Sequence, residues 1–388
     1  MTTTGQYTMS RIRHWVHSRF KEPIAIIESD DWGLWRSPRD KSKIQQLGKP
    51  KIWAYDQLES KEEVERIIEL FMKYRDRNNE YPKMIANFIT SYPDFKSTIQ
   101  SKYQKLFLKP LSSHPDSLKS AWTNGFEKKV FIPQYHGRLH FNAKRYLQDL
   151  QKCNRSRLIF EAGWNGGLNN LINADGKLKG EYMNLNDGEM LSSSETQAWI
   201  SQGINEFKEV FHFHPKSIIA PQYILPPQIY PIIKQMGFTT IQGMNMQIFK
   251  KKNKVIKKNL PIGREVYTGL IALARNIKFE PTRHVTSWQV DMVLSNIDRL
   301  IKSNIPVIID THRINYVGDF KKEGLYQMNI LLDQLANKFK VQFLTSFELA
   351  EAIKNNGKYT DFFSNQIRYL TPVKNNWLKK KILKHKAI

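Results

Sequence analysis

Two adjacent carboxylates, Asp30 and Asp31, close an apolar run that begins at Pro23. The run predicts a buried strand, and acids at the end of such a strand are costly to bury unless a cation compensates them. About a hundred residues later, His136 and His140 are spaced four apart, so on a helical turn both imidazoles would face the same way. One Asp and two His form a set that binds a catalytic divalent metal and leaves a position open for water.

Polar residues also follow other apolar runs, at positions far apart in the sequence. Tyr223, Glu280 and His312 each come shortly after a different run, and His136 follows the run at 130–134. If the runs are parallel strands of a barrel, these residues collect at the mouth formed by the carboxyl ends of the strands, where barrel enzymes place their chemistry. For each residue taken singly, the alternative is a turn acid or a histidine that satisfies only local hydrogen bonds.

Nine short apolar runs, many of them β-branched, predict the strands, and most are apolar on both faces as buried parallel strands are. They are 23–29, 84–90, 130–134, 158–161, 217–220, 239–242, 270–274, 306–310 and 341–344. Between them, capping-box patterns that begin at Ser60, Thr286 and Thr345 predict helices, and Pro226-Pro227 suits the first turn of another. Strands that alternate with helices predict an α/β fold, and their number favours a barrel.

Composition excludes several classes of protein. The chain has 388 residues and a single cysteine, Cys153, which excludes a disulfide framework and favours a reducing cytosol. The first 19 residues lack the apolar core of a signal peptide, and no stretch approaches the ~20 apolar residues that a membrane-spanning helix needs. We therefore expect a cytoplasmic protein, with the inner membrane face as the alternative location.

The net charge of +24 has two interpretations. It indicates an acidic partner, such as an anionic glycan, a nucleic acid or an anionic membrane, or it reflects a composition that is rich in lysine along the whole chain. Lysines are concentrated in 250–258 and in the C-terminal tail at 379–386. The tail would either lie on a membrane as a basic amphipathic helix or form a solvated end. No nucleic-acid-binding motif is present, so we expect no nucleic-acid partner.

Four motifs resemble, in the same order, those of the polysaccharide deacetylase superfamily (NodB homology, carbohydrate esterase family 4-like). They are Ser29-Asp30-Asp31-Trp32-Gly33, His136-Gly137-Arg138-Leu139-His140, Ala220-Pro221-Gln222-Tyr223 and Asp310-Thr311-His312. The resemblance covers about residues 20–350, and it implies a distorted (β/α)7-8 barrel of the glycoside hydrolase/deacetylase type, a single domain with helical insertions. Residues 351–388 would form a basic C-terminal extension.

The resemblance also implies a role for individual residues. Asp31, His136 and His140 would bind the divalent metal, Asp30 would be the general base and His312 the general acid. One Asp and two His suit Zn²⁺ rather than calcium, with Co²⁺, Ni²⁺ or Fe²⁺ as alternatives.

The chain departs from the family's pattern at two places. The third-motif arginine, which in the family pairs with the base, is Ala220 here, and Arg138 and Arg313 are the candidates to replace it. The family's tryptophan-and-aspartate motif has no clear counterpart, and Glu280 is the candidate for the carboxylate that tunes His312. These departures put the substrate in doubt rather than the metal site.

The expected function is that of a metal-dependent hydrolase that removes an acetyl group from an amino sugar or acetylated glycan, cleaving a linear amide bond. Trp32, Tyr223, Arg138, Arg313 and Glu280 are the candidate substrate contacts, and a backbone N–H near Tyr223 is a candidate oxyanion donor. The substrate would be an acetylated glycan, with lipid-linked or anionic forms among the candidates. The alternatives are a catalytically degenerate glycan-binding barrel and a related metal-dependent glycosidase or phosphoester hydrolase.

Overall fold

Strands and helices alternate along most of the chain. The structure, a computed structural model, describes residues 20, 22–174, 192–251, 254–260, 262–284 and 290–355. The strands are β1 (Ile24–Trp32), β2 (Met84–Ile89), β3 (Ser91–Pro93), β4 (Leu108–Pro110), β5 (Phe131–Gly137), β6 (Ser217–Ile218), β7 (Thr240–Met244), β8 (Met246–Lys251), β9 (Lys254–Asn259), β10 (Arg264–Tyr267), β11 (Leu270–Arg275), β12 (Ile277–Lys278), β13 (Val307–His312) and β14 (Gln342–Phe343). The helices are α1 (Ser42–Leu47), α2 (Lys61–Phe71), α3 (Phe95–Gln100), α4 (Asp116–Glu127), α5 (Ala143–Lys152), α6 (Asn154–Glu161), α7 (Ser193–Phe211), α8 (Tyr230–Gln235), α9 (Val290–Lys302), α10 (Lys321–Asp333) and α11 (Ser346–Lys354).

A mostly parallel sheet forms the centre, with neighbours in the order β10-β11-β7-β6-β5-β2-β1-β13-β12 and with β14 beside β1. Only the β10–β11 pair of this sheet is antiparallel among the described strands. The segments β11 and β12 are separated by Asn276 alone, whose N–H donates to Ile308 O over 3.0 Å. The chain thus passes from the β7 ladder to the β13 ladder through one residue. The α/β prediction is confirmed, although no continuous set of ladders closes a barrel within the described residues.

The core lies on both faces of β1, which is buried along all nine of its residues. It pairs with β2 on one side and β13 on the other, so its apolar half has no contact with water, as expected for a central parallel strand. The capping box of Ser60 and Glu63 starts α2, whose Val64, Ile67 and Phe71 pack into the same core.

Most predicted elements are confirmed, but the run at 158–161 is not a strand. It forms the end of α6, in which Leu158 is 44% exposed while Ile159 and Phe160 are fully buried. A run of four apolar residues fits one face of a helix as well as a strand, so its periodicity does not decide between them. The capping box at Thr345 begins α11 as predicted, whereas the one at Thr286 lies outside the described residues.

The predicted C-terminal extension, 351–388, begins inside α11, which continues to Lys354. Its residues beyond 355, and with them the lysine-rich tail, lie outside the part of the chain that the structure describes. Among the described helices, none combines the length and apolar character needed to cross a membrane.

Gly324 gives a test of the packing between α10 and the loop that follows β13. A Cβ at this position would lie 1.6 Å from the backbone oxygen of Asn315. Alanine gains about 1 kcal/mol of helix propensity over glycine, but the collision forces the two segments apart. We expect Gly324→Ala to lower the free energy of unfolding by about 1–3 kcal/mol or more, measured by denaturant titration.

The matched control is Gly243→Ala, because no heavy atom lies within 4 Å of a Cβ at Gly243. This variant should stay within about 0.5 kcal/mol of wild type. Equal stability of both variants would show that α10 does not lie this close to Asn315.

Candidate active site

Asp30 and Asp31 lie at a bulge in the carboxyl end of β1, where the register against β2 shifts between Ser29 and Trp32. Asp31 has a left-handed backbone conformation with φ of 73°, which aspartate tolerates better than most residues. Neighbouring residues of a regular strand point to opposite faces, but a bulge re-aims the side chains around it. The two carboxylates therefore meet different partners at the same mouth of the sheet.

Asp31, His136 and His140 come together as the expected metal ligands. Asp31 Oδ1 lies 3.4 Å from Nε2 of His136 and 3.4 Å from Nε2 of His140, and one ligand atom from each residue lies within 4.8 Å of the others. Asp31 Oδ1 is buried and accepts no hydrogen bond from any described residue. A buried carboxylate oxygen that receives no hydrogen bond and faces two imidazole nitrogens is suited to bind a divalent cation.

The imidazole of His136 is held in the orientation that a metal ligand needs. Its Nδ1 donates to Ile219 O over 3.1 Å, which leaves the Nε2 lone pair directed at Asp31. The expectation of a helical turn is wrong: His136 lies in β5, and the chain bends at Gly137, whose φ is 114°, to bring His140 alongside. The four-residue spacing therefore works through a glycine bend rather than a helix face.

Electrostatics favour the metal-binding forms of Asp31 and His140. Burial tends to raise the pKa of Asp31, but Arg36, His140 and His136 outweigh it and hold that pKa well below its ordinary value. Arg36 donates to the other oxygen, Asp31 Oδ2, over 2.8 Å. Burial lowers the pKa of His140 to about 3, so this imidazole is neutral and its lone pair is available. Burial tends to lower the pKa of His136 as well, but the charges of Asp30 and Asp31 outweigh it and raise that pKa, so a cation would have to displace a proton from this imidazole.

Asp30 is bound by Arg275, a residue that the sequence interpretation missed. The buried guanidinium donates to both oxygens of Asp30 over 2.7 Å, and also to Glu28 and Asp310 over 2.6 Å each. Asn87 donates to Asp30 Oδ1 over 2.8 Å. Burial works to raise the pKa of Asp30, but Arg275 outweighs it and lowers that pKa to about 2.

The two arginines expected beside the base have other partners. Arg138 pairs with Glu206 over 2.9 Å, and Arg313, which is fully buried, pairs with Asp56 over 3.0 Å and Glu59 over 2.7 Å. The guanidinium that contacts Asp30 thus comes from β11 rather than from either of the expected arginines. The sequence held one signal for this, since Arg275 ends an apolar run just as the acids at 30–31 do.

His312 lies opposite Asp30, with 4.0 Å between its Nε2 and Asp30 Oδ2. Its Nδ1 hydrogen-bonds Oε1 of Glu280, which is in turn held by a 3.1 Å bond from Asn315 to Oε2. Burial tends to lower the pKa of His312, but the charge and hydrogen bond of Glu280 outweigh it and raise that pKa to about 10. The imidazole is therefore a cation at neutral pH, with its Nε2–H directed into the site.

Trp32, one of the two aromatic residues predicted to contact the substrate, lies in the core. Trp32 is fully buried, packs edge-on against Phe131 and donates to Ser29 Oγ, so it has no surface to offer a sugar. Trp53 instead lies 5.1 Å from the ring of His312, a contact that no motif in the sequence signals.

Tyr223 reaches the site through its side chain. Its hydroxyl lies 3.4 Å from Asp310 Oδ1. Its backbone N–H donates to Ala220 O over 2.9 Å, so this N–H is already engaged and the expected oxyanion donor is not supplied by it.

Comparison with known proteins finds similarity only at the level of solved structures. No protein-family model and no curated protein matches the sequence. The fold is similar to an acetyl xylan esterase of family 4 from Clostridium thermocellum, solved with a cobalt ion (8% identity, TM-score 0.39, 84% of this chain and 89% of that chain). It is also similar to a peptidoglycan N-acetylglucosamine deacetylase (10% identity, TM-score 0.38, 85% and 89%).

The same comparison includes a 4-alpha-glucanotransferase from Thermococcus litoralis (9% identity, TM-score 0.41), of which this chain spans 40%. An esterase, a deacetylase and a glucanotransferase are thus among the solved structures that this fold resembles. At TM-scores below 0.5 the likeness is too distant to bear on what this chain does.

The contact between Glu280 and His312 predicts how kcat/KM depends on pH. Glu280→Gln removes the charge that raises the pKa of His312, so that pKa falls. If protonated His312 is required, the alkaline limb of kcat/KM moves to lower pH by roughly 1 to 3 units. The measurement is the pH profile of both proteins on an acetylated amino sugar, and an unmoved alkaline limb would remove His312 as the group that sets it.

Arg275→Lys keeps a cation but loses the planar fork that contacts three carboxylates. We expect kcat/KM to fall roughly 100-fold because Asp30 is no longer held in place, and the free energy of unfolding to fall by about 1–3 kcal/mol because buried carboxylate oxygens lose donors. Bound metal, measured by elemental analysis, should be unchanged.

The control for this variant is Lys83→Met, which breaks the buried Lys83–Glu348 pair (3.3 Å) just before β2, at the amino ends of the strands. It should lower stability without the loss of kcat. Equal losses of kcat in both variants would mean that Arg275 acts only through the stability of the fold.

Proposed function

We propose that this chain is a metal-dependent hydrolase that removes an acetyl group from an amino sugar or acetylated glycan. One observation carries the proposal: a candidate cation site lies next to an ionised carboxylate and a protonated imidazole that face each other across 4.0 Å. These are the groups that amide hydrolysis requires, namely a site for the water, an acceptor for its proton and a donor for the leaving nitrogen.

Asp31, His136 and His140 would hold the metal, and their one carboxylate and two imidazoles favour Zn²⁺, with Co²⁺, Ni²⁺ or Fe²⁺ as alternatives. When bound, the ion would lower the pKa of a water and polarise the acetyl carbonyl. His136 is oriented for this by Ile219 O, and Asp31 keeps one oxygen free of hydrogen bonds from the described residues. The chain therefore presents a ligand set prepared before the ion arrives.

Asp30 would accept the proton of the attacking water. Arg275 grips both of its oxygens, so the carboxylate has a fixed position as well as a fixed charge. A carboxyl group with a pKa of about 2 is a weak base in isolation, and its contribution is to be ionised and correctly placed at every working pH.

His312 would donate the proton that the departing nitrogen needs. Water adds to the acetyl carbon, the C–N bond breaks, acetate forms, and the proton from His312 Nε2 converts the nitrogen to an amine. An amine leaves only when protonated, and a pKa of about 10 keeps His312 charged throughout the neutral range. This supports N-deacetylation over removal of an O-acetyl group, whose leaving oxygen depends less on a donor.

The arrangement disfavours the rival phosphoester hydrolase, which would use two metals. The second group of possible ligands is Asp30, Asp310 and His312. Arg275 contacts both of those carboxylates and His312 is itself cationic, so a second ion would face two positive charges. The degenerate glycan-binding barrel is disfavoured for a related reason, because Arg275 supplies the cation that Ala220 lacks.

Two substitutions separate metal binding from chemistry. His136→Ala removes a ligand, so we expect bound zinc and acetate release to be lost together. Asp30→Asn removes the proton acceptor only, so we expect bound zinc to remain while kcat falls roughly 100-fold or more. Elemental analysis and acetate release from N-acetylglucosamine oligomers measure the two effects.

Stoichiometric zinc in His136→Ala would contradict the assignment of the ligands. Full activity in Asp30→Asn would remove Asp30 as the base. Release of phosphate rather than acetate from a mixed substrate panel would favour the rival hydrolase.

A further inference from the structure

The segment from Val210 to Arg264 contains nine Lys or Arg residues and no Asp or Glu. Six of its lysines fall between 250 and 258, in and around the β8–β9 hairpin. The chain has 60 basic residues against 36 acidic, a net charge of +24, and six of these positive charges thus fall within nine consecutive residues at this hairpin.

The hairpin stands at the mouth of the candidate active site. It begins two residues after β7 ends, at the carboxyl end of a central strand. Ile248 forms a β-bridge with Ile224, the residue that follows Tyr223. Ile224 and Phe249 form a small apolar cluster, and Ile256 packs against it. The hairpin is thus anchored on the segment that contains Tyr223, whose hydroxyl faces Asp310.

A small cavity lies beside the hairpin, next to Tyr223. It is lined by Ala220, Tyr223 and Gln242 on the side of the sheet and by Met246, Gln247 and Leu260 on the side of the hairpin. Gln242 donates to Asn87 over 3.0 Å, and Asn87 donates to Asp30. The hairpin and the hydrogen-bond network of the proposed base thus border the same small cavity.

Three lysines of the hairpin have no counter-charge within the part of the chain that the structure describes. Lys254, Lys257 and Lys258 are exposed, and no carboxylate of the described residues forms an ion pair with them. Other surface lysines are paired, such as Lys302 with Asp298 over 2.6 Å. In the regular strand β9, Lys254 and Lys258 point to one face and Lys257 to the other. These like charges repel one another along the strand, so an anion that lies along β9 relieves the repulsion.

We infer that the β8–β9 hairpin binds an anionic glycan, so that the substrate is an acetylated glycan that carries carboxylate or phosphate groups. This inference rests on the proposed function, since it assigns a substrate class to the same site. Lysines act as point charges rather than as bidentate forks, so they select charge and do not require one sugar geometry.

The surface favours a glycan over a membrane or a nucleic acid. A helix or loop that binds membranes inserts apolar side chains, whereas Met246 is the one large apolar side chain of the hairpin that is exposed among its described residues. Single-stranded nucleic acid stacks on exposed aromatic rings, and Phe249, the aromatic residue of the hairpin, is buried.

The test compares two triple variants that each remove three positive charges. One is Lys254→Gln, Lys257→Gln and Lys258→Gln. The control is Lys128→Gln, Lys338→Gln and Lys340→Gln, three exposed lysines that precede β5 and β14 and so lie near the opposite mouth. Each is made in the full chain with Asp30→Asn, so that no acetyl group is removed during titration.

The probes are a hyaluronan hexasaccharide, which has N-acetyl groups and carboxylates, and a chitin hexasaccharide, which has N-acetyl groups without charge. We expect the parent protein to bind the hyaluronan fragment roughly tenfold more tightly at low salt, and this preference to vanish at about 0.5 M salt. The hairpin variant should lose the preference and the control variant should keep it.

Equal affinity for the two hexasaccharides would overturn the inference, as would an equal loss in both triple variants, because net charge rather than place would then be responsible. Hairpin-dependent binding only to phosphatidylglycerol vesicles or only to poly(dT) would overturn it in favour of a membrane or a nucleic acid. Acetate release by the unmodified protein without preference for charge would overturn this inference alone, while charge-selective binding without any acetate release would overturn the proposed function.

Discussion

Arg275 is the cation on which the mouth of the sheet depends. Three buried carboxylates, Glu28, Asp30 and Asp310, surround it, and a buried acid without a partner is strongly destabilising. The residue also precedes Asn276, where the chain changes from the β7 ladder to the β13 ladder. Ion pairs from Arg275 thus connect β11 to β1 and β13, neither of which pairs with β11 in a β-ladder among the described strands.

The two adjacent acids acquire different chemistry from their partners. Both oxygens of Asp30 are bound by Arg275, which makes this carboxylate a fixed, permanently ionised group. Among the described residues, one oxygen of Asp31 is bound, by Arg36, and the other faces the two imidazoles. A carboxylate with one oxygen free of hydrogen bonds is suited to bind a cation. A carboxylate whose two oxygens both accept hydrogen bonds has a fixed position from which to accept a proton.

A second series of buried ion pairs supports Asp31 and the candidate metal site. Arg36 joins Asp31 to Asp56, and Arg313 joins Asp56 to Glu59. Glu59 in turn accepts a hydrogen bond from the backbone of Gly33, just past the bulge. The bulge that carries the candidate ligand is therefore anchored to the residue after His312, which ties the two halves of the site together.

The sequence alone determined the local features: the apolar strands, the capping boxes at Ser60 and Thr345, and the polar residues at strand ends that mark a candidate metal site and its neighbours. These follow from burial, periodicity and side-chain chemistry within a few residues. Tertiary structure decided which cation meets which acid. Arg275 rather than Arg138 or Arg313 binds Asp30, because β11 and β1 converge at one mouth across about 245 residues of sequence, and no local pattern records the pairing of charges that remote strands bring together.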